Sequence, residues 1–346
     1  MKLSTIAVFI VTVFTTFSVA HAKETTLESS KLSASLILDG KIDAAWNDAK
    51  SISQKLTKLP YKPNNGYTGI KRTTVEMKSL YDDEYVYFLV TYADPTMSID
   101  RFPWVKQDDD SWQQLSNKDS TGHDNTYYED KFAVYWDINT QDFAQKGCNA
   151  ACHRAEGGMN AGRKDNNPAR KYTKEGEFID MWHWKGVRTA AHNQLDDQYV
   201  DSNTDPKENK GWGRKGDSKI SGGYVNNIKD GQPAFVSDNL TNETLLILDS
   251  EKKPFTVEYN KTDRIPGLTG KPFVGSRGDV EVAARWNEGV WVLEMKRKLV
   301  TTGENSETQD VQFNDLTKVY PFGIAVFDNS QINHIYHRGV LNFKFK

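Results

Sequence analysis

Thr73-Thr74-Val75-Glu76-Met77-Lys78-Ser79-Leu80, then Tyr81-Asp82-Asp83-Glu84, then Tyr85-Val86-Tyr87-Phe88-Leu89-Val90-Thr91-Tyr92, carries the plainest strand pattern in the chain. Val75 and Met77 alternate with Glu76 and Lys78, and in an extended chain such a period of two sends apolar and polar side chains to opposite faces. Tyr85 to Tyr92 is rich in aromatic and β-branched residues, which suit a pleated surface. The acidic quartet between them turns the chain, so the pair reads as a hairpin. Lys131 to Asp137, Asp279 to Trp286, Gly289 to Lys296 and Pro321 to Phe327 are further runs of this kind, the middle two joined by a turn at Asn287-Glu288-Gly289. Leu32 to Leu38 alternates as well and ends at Asp39-Gly40; Ile42 to Ala49 then reads as a short helix that buries Trp46. Short strands, 12% aromatic residues and little helical periodicity predict an all-β protein, a β-sandwich.

Between these strands, Asp94 to Tyr127, Ile138 to about Val225 and Phe235 to Gly278 are too long for ordinary connections, and long loops within a compact domain are usually functional. The expected organisation is one domain over 23–346, with a long insertion at about 138–225 wrapping a cofactor and Lys23 to Lys31 as a polar leader. A net charge of −3 leaves no basic footprint, which speaks against nucleic acid as a partner.

Met1 to Ala22 reads as a secretory signal peptide. Lys2 supplies the positive start, Ile6 to Phe17 the apolar run, and Ala20-His21-Ala22 a small-x-small cleavage site before Lys23. The run is short for a membrane span and no later stretch approaches one, so the mature chain is expected to be exported with no integral membrane span, in a bacterium to the periplasm. An uncleaved N-terminal anchor is the competing reading.

Gly147-Cys148-Asn149-Ala150-Ala151-Cys152-His153 carries both cysteines of the 346 residues. It is the Cys-x-x-Cys-His haem-attachment pattern with one extra spacer. Two thiols that add across the vinyl groups on a haem edge must lie close together on a bendable segment, and the following histidine can ligate the iron from the proximal side. Ala150 and Ala151 leave room for the macrocycle, and Gly147 allows the backbone to approach it. A Cys148–Cys152 disulfide needs only a bent loop in an oxidising compartment. A zinc site would want further ligands at recognisable spacing, and neither a second cysteine pair nor a His-x-x-x-His is present.

Leu38-Asp39-Gly40-Lys41-Ile42-Asp43-Ala44-Ala45-Trp46, Tyr81 to Phe88, Ala93-Asp94-Pro95-Thr96, Glu129 to Trp136, Asp180-Met181-Trp182-His183-Trp184-Lys185, Gly289 to Glu294 and Tyr320 to Asn329 together resemble the haem-binding domain of the ethylbenzene dehydrogenase gamma subunit. That family is associated with dimethyl sulfoxide reductase-type oxidoreductases, and the resemblance covers nearly all of the mature chain. It implies a β-sandwich similar to a carbohydrate-binding module, holding one haem that relays electrons to or from a redox partner protein. The gamma subunit holds a non-covalent b-type haem between methionine and lysine. Here Cys148, Cys152 and His153 resemble a c-type branch, with one covalent haem c and His153 as proximal ligand.

For the distal ligand the resemblance points to the region of His334 and His337, just past Phe327-Asp328-Asn329. Three residues apart on an extended chain, the two point to opposite faces; His334, nearer the strand end, is favoured and His337 competes with it. Met159 lies only six residues past His153, while His183 and Lys185 could instead line the haem pocket. Trp182 and Trp184 share one side of their segment and read as packing residues; Asp108-Asp109-Asp110 reads as a solvated acidic run rather than a calcium loop. No nucleophile triad, nucleotide loop or paired-carboxylate motif stands out. The expectation is a periplasmic monohaem c-type cytochrome, an electron-transfer protein rather than a catalyst in its own right. Its alternative is a carbohydrate-binding or sensory β-sandwich with a Cys148–Cys152 disulfide and no haem.

Overall fold

A computed structural model describes residues 25–33, 36–152 and 170–346, with the backbone alone of 159–160 and 163–164. The signal peptide and His153 lie outside the described residues. Thirteen strands join in one sheet. They are β1 (Thr25–Lys31), β2 (Ile52–Leu56), β3 (Thr73–Tyr81), β4 (Tyr85–Ala93), β5 (Lys131–Asp137), β6 (Ile179–Lys185), β7 (Asp196–Val200), β8 (Arg214–Gly216), β9 (Glu281–Asn287), β10 (Val290–Lys298), β11 (Tyr320–Phe327), β12 (Ile335–Tyr336) and β13 (Leu341–Phe345). The order along the sheet is β8-β7-β6-β5-β11-β13-β1-β3-β4-β10-β9, with β2 on β3 and β12 on β11. The hairpins expected at β3–β4 and β9–β10 both form.

The sheet folds over so that its two halves bury one shared core, and the chain is an all-β sandwich. Trp136 of β5 and Trp182 of β6 meet Phe88 of β4 with ring centroids 5.5 and 5.7 Å apart. Trp184 of β6 stacks edge-on to Trp291 of β10 at 4.9 Å. Such pairs add about 0.5–1.5 kcal/mol each beyond the apolar area they bury. These tryptophans are thus packing residues. Trp46 is fully buried on a short 3-10 helix, Ala44–Asp48. Its indole N–H donates to Glu294, which also accepts the backbone N–H groups of Asp39 and Gly40 and so pins this segment to β10.

Three expectations change. Lys23 to Lys31 is not a leader over its described part: Thr25–Lys31 is a central strand, paired in parallel with both β13 and β3 and burying Leu27 and Ser29. With one apolar residue in seven, it carries almost no periodic signal, and only the two neighbouring strands supply its hydrogen bonds. Leu32 to Leu38 forms no strand over its described residues; Leu32, Leu36 and Leu38 pack instead on the Trp46 cluster. Finally, β6, β7 and β8 lie inside the 138–225 stretch, so that stretch contributes a flank of the main sheet as well as loop.

Candidate cofactor site

Both faces of β5, β6 and β11 are covered, and the period of two divides their residues between the core and a second apolar cluster. Phe132, Val134 and Trp136, Trp182 and Trp184, and Phe322, Ile324 and Val326 point into the sandwich. The alternate residues build a floor on the outer face. The pairing register lines up Gly323, Tyr135 and Met181 in one row, Ala325, Ala133 and His183 in the next, and Phe327, Lys131 and Lys185 in the last. Glycine and two alanines make the middle of this floor flat. Tyr135, Met181, His183 and Phe327 rise around it.

The cysteine motif lies across this floor. A short helix, Phe143–Lys146, runs into a 3-10 turn at Cys148–Ala150. Cys148 and Cys152 are buried free thiols in one cluster with Ala133, Tyr135, Ala150, Ala151, Ile179, Met181 and Phe327. Gly323 is glycine for a steric reason: a Cβ there would stand 2.3 Å from Cys148 Sγ. Gly147 has a different role from the one its sequence context suggests. Its φ is +54° and an added Cβ would meet Gly339 O at 1.9 Å, so it lets the motif close onto the C-terminal segment rather than onto a cofactor. Burial pushes both thiols above their usual pKa, Cys148 the further because the neighbouring Cys152 adds to it.

Cys148, Cys152, Gly323, Ala325, Phe327, Tyr336 and His334 surround a narrow cavity of about 30 Å³. His334 Nδ1 lies 2.8 Å from Ile332 O, and its ring is 4.7 Å from that of Phe327. His337 is also buried, beside the Ile324 backbone, but it borders neither this cavity nor the next. Burial lowers the His337 pKa to about 4.

Lys171, Met181 and Phe327 also line an adjoining, wider cavity of about 330 Å³. Cations dominate its wall: Arg101, Lys131, Arg170, Lys171, Lys185, Arg188, Lys210 and Arg214, with His123 and His183. His183 is 3% exposed and neither ring nitrogen has a partner; burial first, then the Lys185 and Lys131 charges, hold its pKa far below the usual value. Arg101 Nε and Nη1 are buried without partners, and its guanidinium lies over Phe102 and Tyr128. The wider space lies at the low end of the range of small-molecule pockets, ~300–1,000 Å³, and the narrow one well below it.

Some of these cations are already committed. Lys185 pairs with Asp196, which also accepts Arg277 Nε at 2.6 Å; Arg188 pairs with Glu129. Burial alone would raise the Asp196 pKa, but Lys185 and Arg277 outweigh it and hold the carboxyl well below the usual carboxylate range. Its folded pKa is below the unfolded one, so this contribution to stability is present above about pH 4 and is lost as pH falls through the folded value. Asp196→Asn strands Lys185 without its counter-ion and is expected to cost about 3–5 kcal/mol in urea unfolding at neutral pH. A cost below about 1 kcal/mol would mean that Lys185 relaxes to solvent.

Of the residues the sequence singles out, the fold brings Cys148, Cys152, His334, His183 and Lys185 to these two adjoining cavities. It leaves His337 aside, and the Met159 side chain lies outside the described residues. Gly323, Ala133, Ala325 and Arg101 went unremarked. For Gly323 the signal was present: a glycine within an apolar strand often marks a close approach by another segment.

The family profile described as Ethylbenzene dehydrogenase matches residues 43–339 of the chain. A stretch of 117 residues is 29% identical to endo-1,4-beta-xylanase A of Thermotoga maritima, covering 32% of this chain and 10% of that one, so the match spans a tenth of the relative's length. Among solved structures, the chain is similar to a family 9 carbohydrate-binding module from Caldicellulosiruptor kristjanssonii in complex with glucose (9% identity, 93% of this chain and 96% of that one, TM-score 0.34). It is also similar to a putative carbohydrate-binding protein from Bacteroides uniformis (10% identity, 93% of this chain and 100% of that one, TM-score 0.33). Scores this low add nothing to the fold, which rests on the strand pairing itself.

Proposed function

The chain belongs to the ethylbenzene dehydrogenase family, and on that premise we propose that it is an exported monohaem c-type cytochrome that passes electrons to or from a partner protein. The observation that carries this reading is the convergence of both cysteines and His334 on one flat floor of small residues. The family match fits a redox-associated subunit. Haem, when bound, supplies a one-electron ferric/ferrous couple.

The residues present fit that group. Cys148 and Cys152 would hold it through thioethers, whose sulfur carries no charge and costs little to bury; the raised thiol pKa values reflect the same uncharged environment. His153 would be the proximal ligand and His334 the distal one. The His334 Nδ1–H donates to Ile332 O, which leaves the lone pair on Nε2 and fixes the ring orientation, as the outer hydrogen bond of a ligating histidine does. His183 is the ligand against which His334 has to be tested, since it lines the adjoining wider cavity and neither of its ring nitrogens has a partner. Arg101, whose Nε and Nη1 have no partner, would neutralise a carboxylate at the edge of a haem. Among the described residues no helix is long and apolar enough to cross a membrane, and with cleavage after Ala22 the mature protein would work in the periplasm.

The competing reading, a carbohydrate-binding or sensory sandwich without haem, calls for aromatic rings laid open at the surface. In this chain every tryptophan and tyrosine is buried or partly buried, spent on packing. The test is expression from the full gene in a bacterium that matures c-type cytochromes. Osmotic shock should release a red protein beginning at Lys23, with haem that survives acid-acetone extraction and denaturing electrophoresis. Colourless protein, or haem that extracts completely, would overturn the covalent reading.

A further inference from the structure

Away from the cofactor cavities, three buried carboxylates converge from three strand ends. Asp94 directly follows β4, Asp130 directly precedes β5, and Asp328 directly follows β11. One ligand oxygen from each lies within 4.8 Å of the other two. The surrounding backbone fixes them in place. Asp130 accepts the N–H groups of Ser98 (2.7 Å) and Asn329 (3.0 Å) and the Trp291 indole at 3.2 Å. Asp328 accepts Ile70 N–H at 2.7 Å, with the Thr96 and Ser98 hydroxyls at 3.5 Å. Asp94 Oδ1 accepts Thr96 N–H at 3.2 Å, and Asp94 Oδ2 has no partner.

Two features set this cluster apart from a hydrogen-bonded acidic turn. Among the described residues, no lysine or arginine forms an ion pair with any of the three; burial raises the pKa of each, Asp94 to about 7 with Asp328 adding to it, while a hydrogen bond with Asp130 lowers that of Asp328. The second is Tyr92. It lies two residues before Asp94, is 2% exposed, has a hydroxyl with no hydrogen-bond partner, and sits close enough to all three carboxylates to feel their charge. Asp197, Asp217 and Asp310 form a second buried trio, but there Arg297 stands 3.7 Å from Asp310 and supplies the cation from within the chain.

We propose that Asp94, Asp130 and Asp328 form a structural Ca²⁺ site. The donors are all oxygens, which suits a hard cation rather than zinc or copper. Three carboxylates with hydroxyls nearby match the irregular, oxygen-rich shell of Ca²⁺ better than the near-octahedral, largely hydrated shell of Mg²⁺. The Tyr92 O–H would donate to a water on the cation. Such an ion ties the ends of β4, β5 and β11 together, and Lys131 and Phe327, the last row of the cofactor floor, are the immediate neighbours of Asp130 and Asp328. The site does not depend on the haem reading, because none of its donors lines either cavity.

The test uses the full mature protein, stripped with EGTA and titrated with CaCl2 by calorimetry and thermal unfolding, with MgCl2 in parallel. Expected are one Ca²⁺ bound per chain, a higher unfolding temperature with CaCl2, and little response to MgCl2. Asp94→Asn removes the carboxylate with the unpartnered oxygen and should weaken Ca²⁺ binding more than about 10-fold. Tyr92→Phe, which keeps the ring, should also bind Ca²⁺ more weakly and stands in if Asp94→Asn does not fold. Asp197→Asn should leave Ca²⁺ binding unchanged. Failure to take up Ca²⁺, or affinity unchanged in both Asp94→Asn and Tyr92→Phe, overturns the proposal. So does an unfolding temperature that ignores CaCl2 but rises as pH is lowered from about 8 to about 6, because the carboxylates would then be sharing protons instead.

Discussion

Replacing both cysteines, Cys148→Ser with Cys152→Ser, is expected to leave a chain from which acid-acetone removes all haem, where the wild type retains it. Each single variant should retain haem through one bond at a lower yield. The expectation rests on position as well as chemistry: both sulfurs are buried in the cluster built on Ala133, Tyr135 and Met181, with Cys148 Sγ over Gly323. Serine there buries a hydroxyl among apolar groups, a penalty of about 1–3 kcal/mol that leaves the fold standing. Gly323→Ala probes the same contact without touching a thiol. Its methyl would overlap Cys148 Sγ, so the motif must shift, at a cost of about 1–3 kcal/mol and with reduced haem loading. Full covalent retention in the double variant would show that the attachment lies elsewhere, and normal loading in Gly323→Ala would show that the motif does not seat on β11.

His334→Ala is expected to convert a low-spin ferric centre to high spin and to open it to carbon monoxide, with haem still covalently attached. An electron carrier benefits from two protein ligands, because fixed coordination changes little between the ferric and ferrous states. His334 borders the cavity that holds both cysteines, and its Nδ1 is already engaged with Ile332 O. His337→Ala should leave the spectrum low-spin, since its ring borders neither cavity. His183→Ala is the informative comparison. If it alone produces the high-spin form, the distal ligand belongs to β6 and His334 serves as part of the wall. Lys185→Ala should not change the spin state, because its ammonium is committed to Asp196.

Much of the sandwich was legible from Thr73 to Tyr92, from Lys131 to Asp137 and from the β9–β10 hairpin, because alternation is a local signal that two neighbouring strands share. Thr25–Lys31 was not legible. Its two partners are parallel strands far away in sequence, and a parallel pairing leaves no turn to read. Ile179–Lys185 stood out for its tryptophans, but its place beside β5 depends on the register rather than on its composition.

The strand class, the pair of cysteines with the adjoining histidine, and the separation of Trp182 and Trp184 from His183 and Lys185 on opposite faces can all be read along the chain. These follow from spacing along one chain, where a period of two is enough. Which of these faces meet was set by the folded sheet. It aligned Gly323, Ala133 and Ala325 from strands nearly two hundred residues apart in the chain into a flat floor, chose His334 over His337 for that cavity, and committed Lys185 to Asp196. It also gathered Asp94, Asp130 and Asp328 from three strand ends. The physical reason is common to all of these: cross-strand register and the folding-over of the sheet are set by the summed burial of the whole core, and no single segment carries that sum.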